Sequence, residues 1–125
     1  MKIYETAGFP NPARVRIALA EKGMTDKVTF EEVDVVGGAH RKPEFLAKNP
    51  TATVPVLELS DGTCIGECSA ITEYIDHVDE DPILTGRTAR ERAQISMMQR
   101  LDHRRHQVGI FFLQRTAHLT HEVAA

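Results

Sequence analysis

The chain has 125 residues, of which 42% are hydrophobic and 26% charged, with a formal net charge of −3. That is chain enough for one ordinary globular domain, and its bulk charge offers no handle to nucleic acid or to an acidic membrane surface. No apolar run approaches the roughly 20 residues of a membrane span, two cysteines make no disulfide framework, and the N-terminus lacks the apolar region of a signal peptide, so the cytoplasm is the expected compartment.

Lys2-Ile3-Tyr4-Glu5 alternates polar and apolar residues and reads as a first strand. Gly8 to Pro12 is a breaker-rich loop. Asn11 followed by Pro12 pairs a favoured N-cap with a favoured first helical residue, so a helix is predicted over residues 12–22, stopped by Gly23. Val15, Ala18, Leu19 and Lys22 fall on one face of it, and Arg14, Arg16, Glu21 and again Lys22 are read as the solvated side. Residues 28–35 read as a second strand, in which Glu31-Glu32 breaks the alternation and leaves a bulge or a shortened strand open. Residues 40–48 make a weak helix interrupted by Pro43.

A loop from Asn49 leads to Val54-Pro55, a strand over residues 55–59, an Asp61-Gly62 turn and a strand over 63–66. Proline cannot donate to a sheet ladder, so Pro55 belongs at the strand's start or edge, and the backbone N–H and C=O of Val54 face outward. A cis Val54-Pro55 bond would turn those groups toward an extended peptide lying alongside. The next helix, residues 68–78, places Ile71, Tyr74, Ile75 and Val78 on one face. The result is an α/β unit with the order β-α-β-α-β-β-α over residues 1–80, its first half a parallel pair and its end a hairpin, hence a mixed sheet. Residues 81–87 are the linker, entered through the acidic run at Asp79. Residues 88–114 read as one helix of ~27 residues and ~40 Å. Its stripe of Ala89, Ala93, Met97, Met98, Leu101, Val108 and Phe112 needs a cover, either another subunit or further chain; the second is the preferred reading.

Three stretches carry a resemblance. They are Pro10-Asn11-Pro12-Ala13-Arg14-Val15-Arg16 through Gly23, Asn49-Pro50 through Val54-Pro55-Val56-Leu57 with Asp61-Gly62, and Glu67-Cys68-Ser69-Ala70-Ile71 with Tyr74-Ile75. In this order and spacing they resemble the N-terminal half of the cytosolic glutathione S-transferases of bacterial type. The resemblance implies a thioredoxin-like domain over residues 1–80 and a cis Val54-Pro55 bond. It further implies that residues 88–125 are the start of an all-α C-terminal domain, a partial one that lacks most of the electrophile pocket. It also implies glutathione as co-substrate with no metal, a homodimer, a role in detoxification, and transfer of the glutathione thiolate to electrophiles or to mixed disulfides. The alternative is a non-catalytic binding or regulatory protein on the same fold. A standalone thioredoxin-like redox protein is disfavoured, because there is no Cys-x-x-Cys.

For such a site, the Val54 backbone suits the cysteinyl backbone of glutathione and Glu67 suits its ammonium. The free N–H groups at the Cys68 helix start suit its adjacent carboxylate. Glu67 could equally be a carboxylate favoured by the helix dipole alone. Cys68 stands where serine is usual, with a thiol expected to be acidified at a helix start. Phe9 stands where many bacterial members have a serine that steadies the thiolate. Asn11 is then the candidate activator, with Thr6, or no activator at all, as the other readings, and a plain N-cap as the structural one. His40, beside Arg41 and Lys42, is the candidate for the glycine carboxylate, and Thr53 stands where a lysine is frequent. Tyr4 is read as core or subunit contact. The pairs His103/His106 and His118/His121 have helical metal-ligand spacing but no completing ligand.

Overall fold

The computed structural model describes residues 1–105. Its elements are β1 (Lys2–Glu5), α1 (Pro10–Glu21), β2 (Thr29–Glu32), α2 (Pro43–Leu46), β3 (Val56–Glu58), β4 (Cys64–Ile65), α3 (Cys68–His77) and α4 (Ala89–Arg105). The sheet order is β2-β1-β3-β4. β1 runs parallel to β2 and antiparallel to β3, with Ile3 opposite both Phe30 and Leu57. β4 closes the hairpin with β3. This is the mixed, thioredoxin-like sheet that the resemblance implies, and the Val54-Pro55 bond is cis.

Alternation along the strands divides the core in two. Ile3 and Leu57 face α1 and α3, where Val15, Leu19, Ile71 and Ile75 are fully buried with them. Each such side chain contributes roughly 1.5–3 kcal/mol by leaving water. Tyr4 and Val56 face the other way, toward Val33 and Phe45 of the α2 segment. The Tyr4 hydroxyl donates to Glu58 Oε2 at 2.6 Å, Lys48 Nζ meets the same oxygen at 2.9 Å, and Phe45 packs edge-on at 6.4 Å. Tyr4 is therefore a core residue.

Several expectations shift. α1 begins at Pro10 and its N-cap is Phe9, so Asn11 lies inside the first turn and caps nothing. Two prolines fit there because the first-turn N–H groups have no helical partner to lose. The second strand covers only Thr29–Glu32, and Val33 leaves it to hydrogen bond Glu5 O at 2.7 Å. Residues 40–48 split at Pro43 into a 3-10 turn, Ala39–Arg41, and the single turn of α2. Arg16 is not simply solvated: its guanidinium pairs with the buried Glu5 and stacks 3.8 Å over the Phe30 ring. On α3, Val78 is 43% exposed and Tyr74 only half-buried, while Asp76 occupies the buried face.

Lys22 is the largest correction. Its side chain is 2% exposed, with Nζ 3.4 Å from Asp76 Oδ1 and 2.9 Å from Asp79 Oδ1. It also donates to Asp76 O and Asp81 O at 2.9 and 2.6 Å. Asp76 in turn accepts from the N–H groups of Ile83, Leu84 and Thr85 and from the Thr85 hydroxyl, at 2.6 to 3.1 Å. This knot ties the end of α1 to the end of α3 and holds the segment from Asp81 to Thr85 in place. Gly86 follows with φ +92, where an added Cβ would lie 2.8 Å from Arg92 N, so the entry to α4 requires glycine. Thr88 and Glu91 then form a reciprocal cap, with Glu91 N donating to Thr88 Oγ1 at 3.1 Å and Thr88 N to Glu91 Oε2 at 3.2 Å. The predicted helix of residues 88–114 is found from Ala89 to Arg105; its remainder, with Val108 and Phe112, lies outside the described residues.

Candidate functional site

Between α3 and α4 lies a cleft of about 750 Å³. One wall is the start of α1 and of α3, with Asn11, Glu67, Cys68 and Ser69. The other is α4, with Ile95, Ser96, Gln99 and Arg100, and the Arg92 guanidinium bridges the two by pairing with Glu73. Three of the expected site residues, Asn11, Glu67 and Cys68, thus meet in one place.

Glu67 sits at φ 65 and ψ 125, a conformation that costs a non-glycine residue on the order of 1–3 kcal/mol. Its C=O accepts the first α3 bond, from Ile71 N at 3.0 Å. Its exposed carboxylate makes no capping bond. The helix-dipole reading of Glu67 needs no such bond, and the N–H groups at the start of α3 stay open to the cleft wall. Cys68 is buried, and its thiol donates to Asn11 O at 3.4 Å. Burial pushes that thiol up, with the Arg14 charge only partly offsetting it. The expectation of an acidified Cys68 is thereby overturned: desolvation outweighs the helix start. Both cysteines are free.

Asn11 is exposed and its amide has no hydrogen-bond partner among the described residues. Thr6 is excluded as an activator, since its hydroxyl is buried and donates to Val33 O at 2.7 Å. Phe9 presents a half-exposed ring beside Asn11, with no hydroxyl to offer.

Val54, Pro55 and His40 do not line the cleft. Val54 packs half-buried on the α2 side of the sheet, outside the β3 ladder, and its backbone has no backbone partner among the described residues. Pro55 is buried directly before β3. His40 lies in the 3-10 turn, and its Nδ1 is buried without a hydrogen-bond partner. The loop before Val54 is held by Asn49, whose amide nitrogen donates to Thr53 O and Oγ1 at 2.9 and 3.0 Å and whose oxygen takes the Thr51 hydroxyl at 2.8 Å. Thr53 is thereby used within its own loop.

Sequence reasoning missed Asn49 as the organiser of that loop, the Lys22–Asp76 knot, and the cleft face of α4. A signal existed for the knot, because Asp76 sits beside Ile75 on a helix whose apolar stripe must be buried, and the Thr88-x-x-Glu91 spacing marked the start of α4 but not its cleft face. Among the described residues no three His, Cys, Asp or Glu side chains group as metal ligands. His103 lies in α4, and His106, His118 and His121 lie outside the described residues.

A mixed sheet with a cis-proline loop before β3 and Glu67 before α3 defines the class as that of thioredoxin-like domains. The family model for the glutathione S-transferase N-terminal domain matches residues 10–78. The chain belongs to the glutathione S-transferase family. It is 59% identical over 100 residues to glutathione S-transferase 2 of Saccharomyces cerevisiae, an alignment covering 80% of this chain and 43% of that protein. The crystal structure of a glutathione S-transferase domain-containing protein from Marinobacter aquaeolei superposes with a TM-score of 0.76 at 69% identity, covering 78% of this chain and 48% of that one. A glutathione transferase homologue from Sulfitobacter, solved with bound glutathione, superposes with a TM-score of 0.70 at 27% identity, covering 81% of this chain and 47% of that one. The chain spans about half the length of the relatives it matches. No described helix is long and apolar enough to cross a membrane.

Proposed function

We propose that this chain is the glutathione-binding part of a transferase that directs the glutathione thiolate at an electrophile or a mixed disulfide. The observation that carries the reading is Glu67, an exposed carboxylate on a strained backbone, beside the open N–H groups of α3 and on the same cleft wall as Asn11. Glutathione extended over its three residues is roughly 10 Å long. Its γ-glutamyl ammonium pairs with Glu67, and its α-carboxylate takes the N–H groups at Cys68 and Ser69. Its cysteinyl backbone pairs with Val54, whose N–H and C=O lie outside the ladder, with Pro55 setting the strand's start behind it. The glycine carboxylate reaches toward His40 in the 3-10 turn. Asn11 donates its amide N–H to the sulfur, and the α1 N-terminus favours the negative charge.

The thiol proton leaves to solvent. The thiolate lone pair then forms a C–S bond as the electrophile's leaving group departs with its electron pair. With a mixed disulfide it forms a new S–S bond as the other sulfur leaves as thiolate. Residues 88–125 act in this reading as the start of the helical domain after the 81–87 linker, and the working unit is a homodimer in the cytoplasm.

Phe9 favours a second reading, a protein that binds glutathione without transferring it, because the hydroxyl position is filled by a phenyl ring. Turnover of a chlorodinitrobenzene with glutathione separates the two. The enzyme shows glutathione-dependent conjugation above the uncatalysed rate, and Asn11→Ala removes it through kcat with the glutathione KM retained. Binding with no turnover in the unsubstituted chain supports the second reading.

A further inference from the structure

Resting on the glutathione-binding reading, we infer that Arg100 of α4 selects co-substrates that carry an anionic group, a carboxylate in the simplest case. The cleft holds three arginines, Arg14, Arg92 and Arg100, against two carboxylates, Glu67 and Glu73. Arg92 is occupied by Glu73 across the cleft. Glu67 faces the glutathione ammonium in the proposed pose. Arg14 lies close enough to Cys68 to pull on its thiol, on the wall that holds glutathione. Arg100 stands on the opposite wall with Ser96 and Gln99, among polar groups, with Ile95 as the apolar surface beside it. No carboxylate among the described residues pairs with it.

Arg100 is exposed at the rim of the cleft and also borders the hollow beside Met97 and Leu101, so water solvates its guanidinium when a neutral electrophile is bound and the selection comes from the added ion pair alone. An electrophile with a flat apolar body and a carboxylate satisfies both Ile95 and Arg100, since the planar fork of arginine matches a carboxylate in two parallel hydrogen bonds. The anion also fixes which end of the molecule meets the sulfur.

The test uses the full chain and two matched probes, the glutathione conjugates of a chloronitrobenzoate and of its methyl ester, titrated by calorimetry. These conjugates are products, so the readout does not depend on turnover. The acid conjugate is expected to bind about threefold to fivefold more tightly than the ester, the scale of a well-aligned but exposed ion pair. Arg100→Gln removes that preference and Arg100→Lys retains part of it. In turnover, the acid-to-ester ratio of kcat/KM, corrected for the uncatalysed rates, collapses in Arg100→Gln through KM for the acid. Equal affinity for the two conjugates, or a preference that survives Arg100→Gln, overturns the inference while the glutathione site stands. Loss of affinity for glutathione itself in Arg100→Gln also overturns it, by assigning Arg100 to glutathione. Failure of glutathione to bind the unsubstituted chain defeats the underlying reading and this inference together.

Discussion

Glu67 is the residue at which local stability and the proposed function diverge. Its positive φ is tolerated in glycine at no steric cost, yet glutamate is present, and its carboxylate is spent on nothing within the described chain. Glu67→Gln keeps the shape and removes the charge. It is expected to weaken glutathione binding about tenfold or more while the thermal midpoint stays put, because a hydrogen bond to a charged group carries roughly 1.5–3 kcal/mol. Equal affinity in a calorimetric titration would remove Glu67 from the site. Cys68 makes a separate prediction. Its thiol is buried and pushed up, so a thiol reagent at neutral pH should label Cys64 first, with Cys68 reacting slowly until the pH is raised. Rapid labelling of Cys68 in a native mass spectrum would contradict that environment. Asn11 is legible as a candidate from the sequence, but not its local role: the Asn-Pro pair has the pattern of a helix start, and the actual start lies earlier because Pro10 also fits a first-turn position.

Among the elements, the junction of α1, α3 and the linker is the least legible in sequence and the most tightly bonded. Lys22 falls on the buried side of α1 by periodicity, and its charge argues for solvent; the conflict resolves only when Asp76 is seen opposite. Asp76 is fully buried, with three N–H donors, one hydroxyl and an ammonium around it. Burial works against its charge, but the Thr85 hydroxyl and the backbone N–H groups of Ile83, Thr85 and Leu84 hold its carboxyl below the usual range. Asp76→Ala is expected to cost about 3–5 kcal/mol in denaturant unfolding, since it strands Lys22 and frees the linker. Lys22→Met should cost less, because Asp76 keeps its N–H donors, and a double-mutant cycle isolates the pair. The lowered folded pKa means that this stabilisation is complete above the unfolded value of about 4 and fades as pH falls through the lower folded value. A pH–stability curve unchanged by Asp76→Asn in that acid range would refute the assignment.

At the scale of the whole molecule, the sheet and its helices were legible because strands of period two and helices of period near four leave separate imprints, as at Ile3, Leu57, Ile71 and Ile75. The cleft was half legible. Its α3 wall is marked in the sequence by the turn at Glu67, whereas its α4 wall is polar and carries no periodic apolar signal, unlike the stripe on the same helix. Of that stripe, Met97, Met98 and Leu101 are 52%, 44% and 43% exposed, while Val108 and Phe112 lie outside the described residues. The homodimer proposed above predicts self-association of the full chain in sedimentation, weakened by Met97→Glu together with Leu101→Glu. The most direct test of the account is glutathione titrated into the full chain by calorimetry, with the thiolate followed by ultraviolet absorbance. The account predicts saturable binding at millimolar glutathione or below, with the bound thiol ionising at a lower pH than free glutathione. No heat of binding at millimolar glutathione, or a bound thiol that ionises as it does in water, would contradict it.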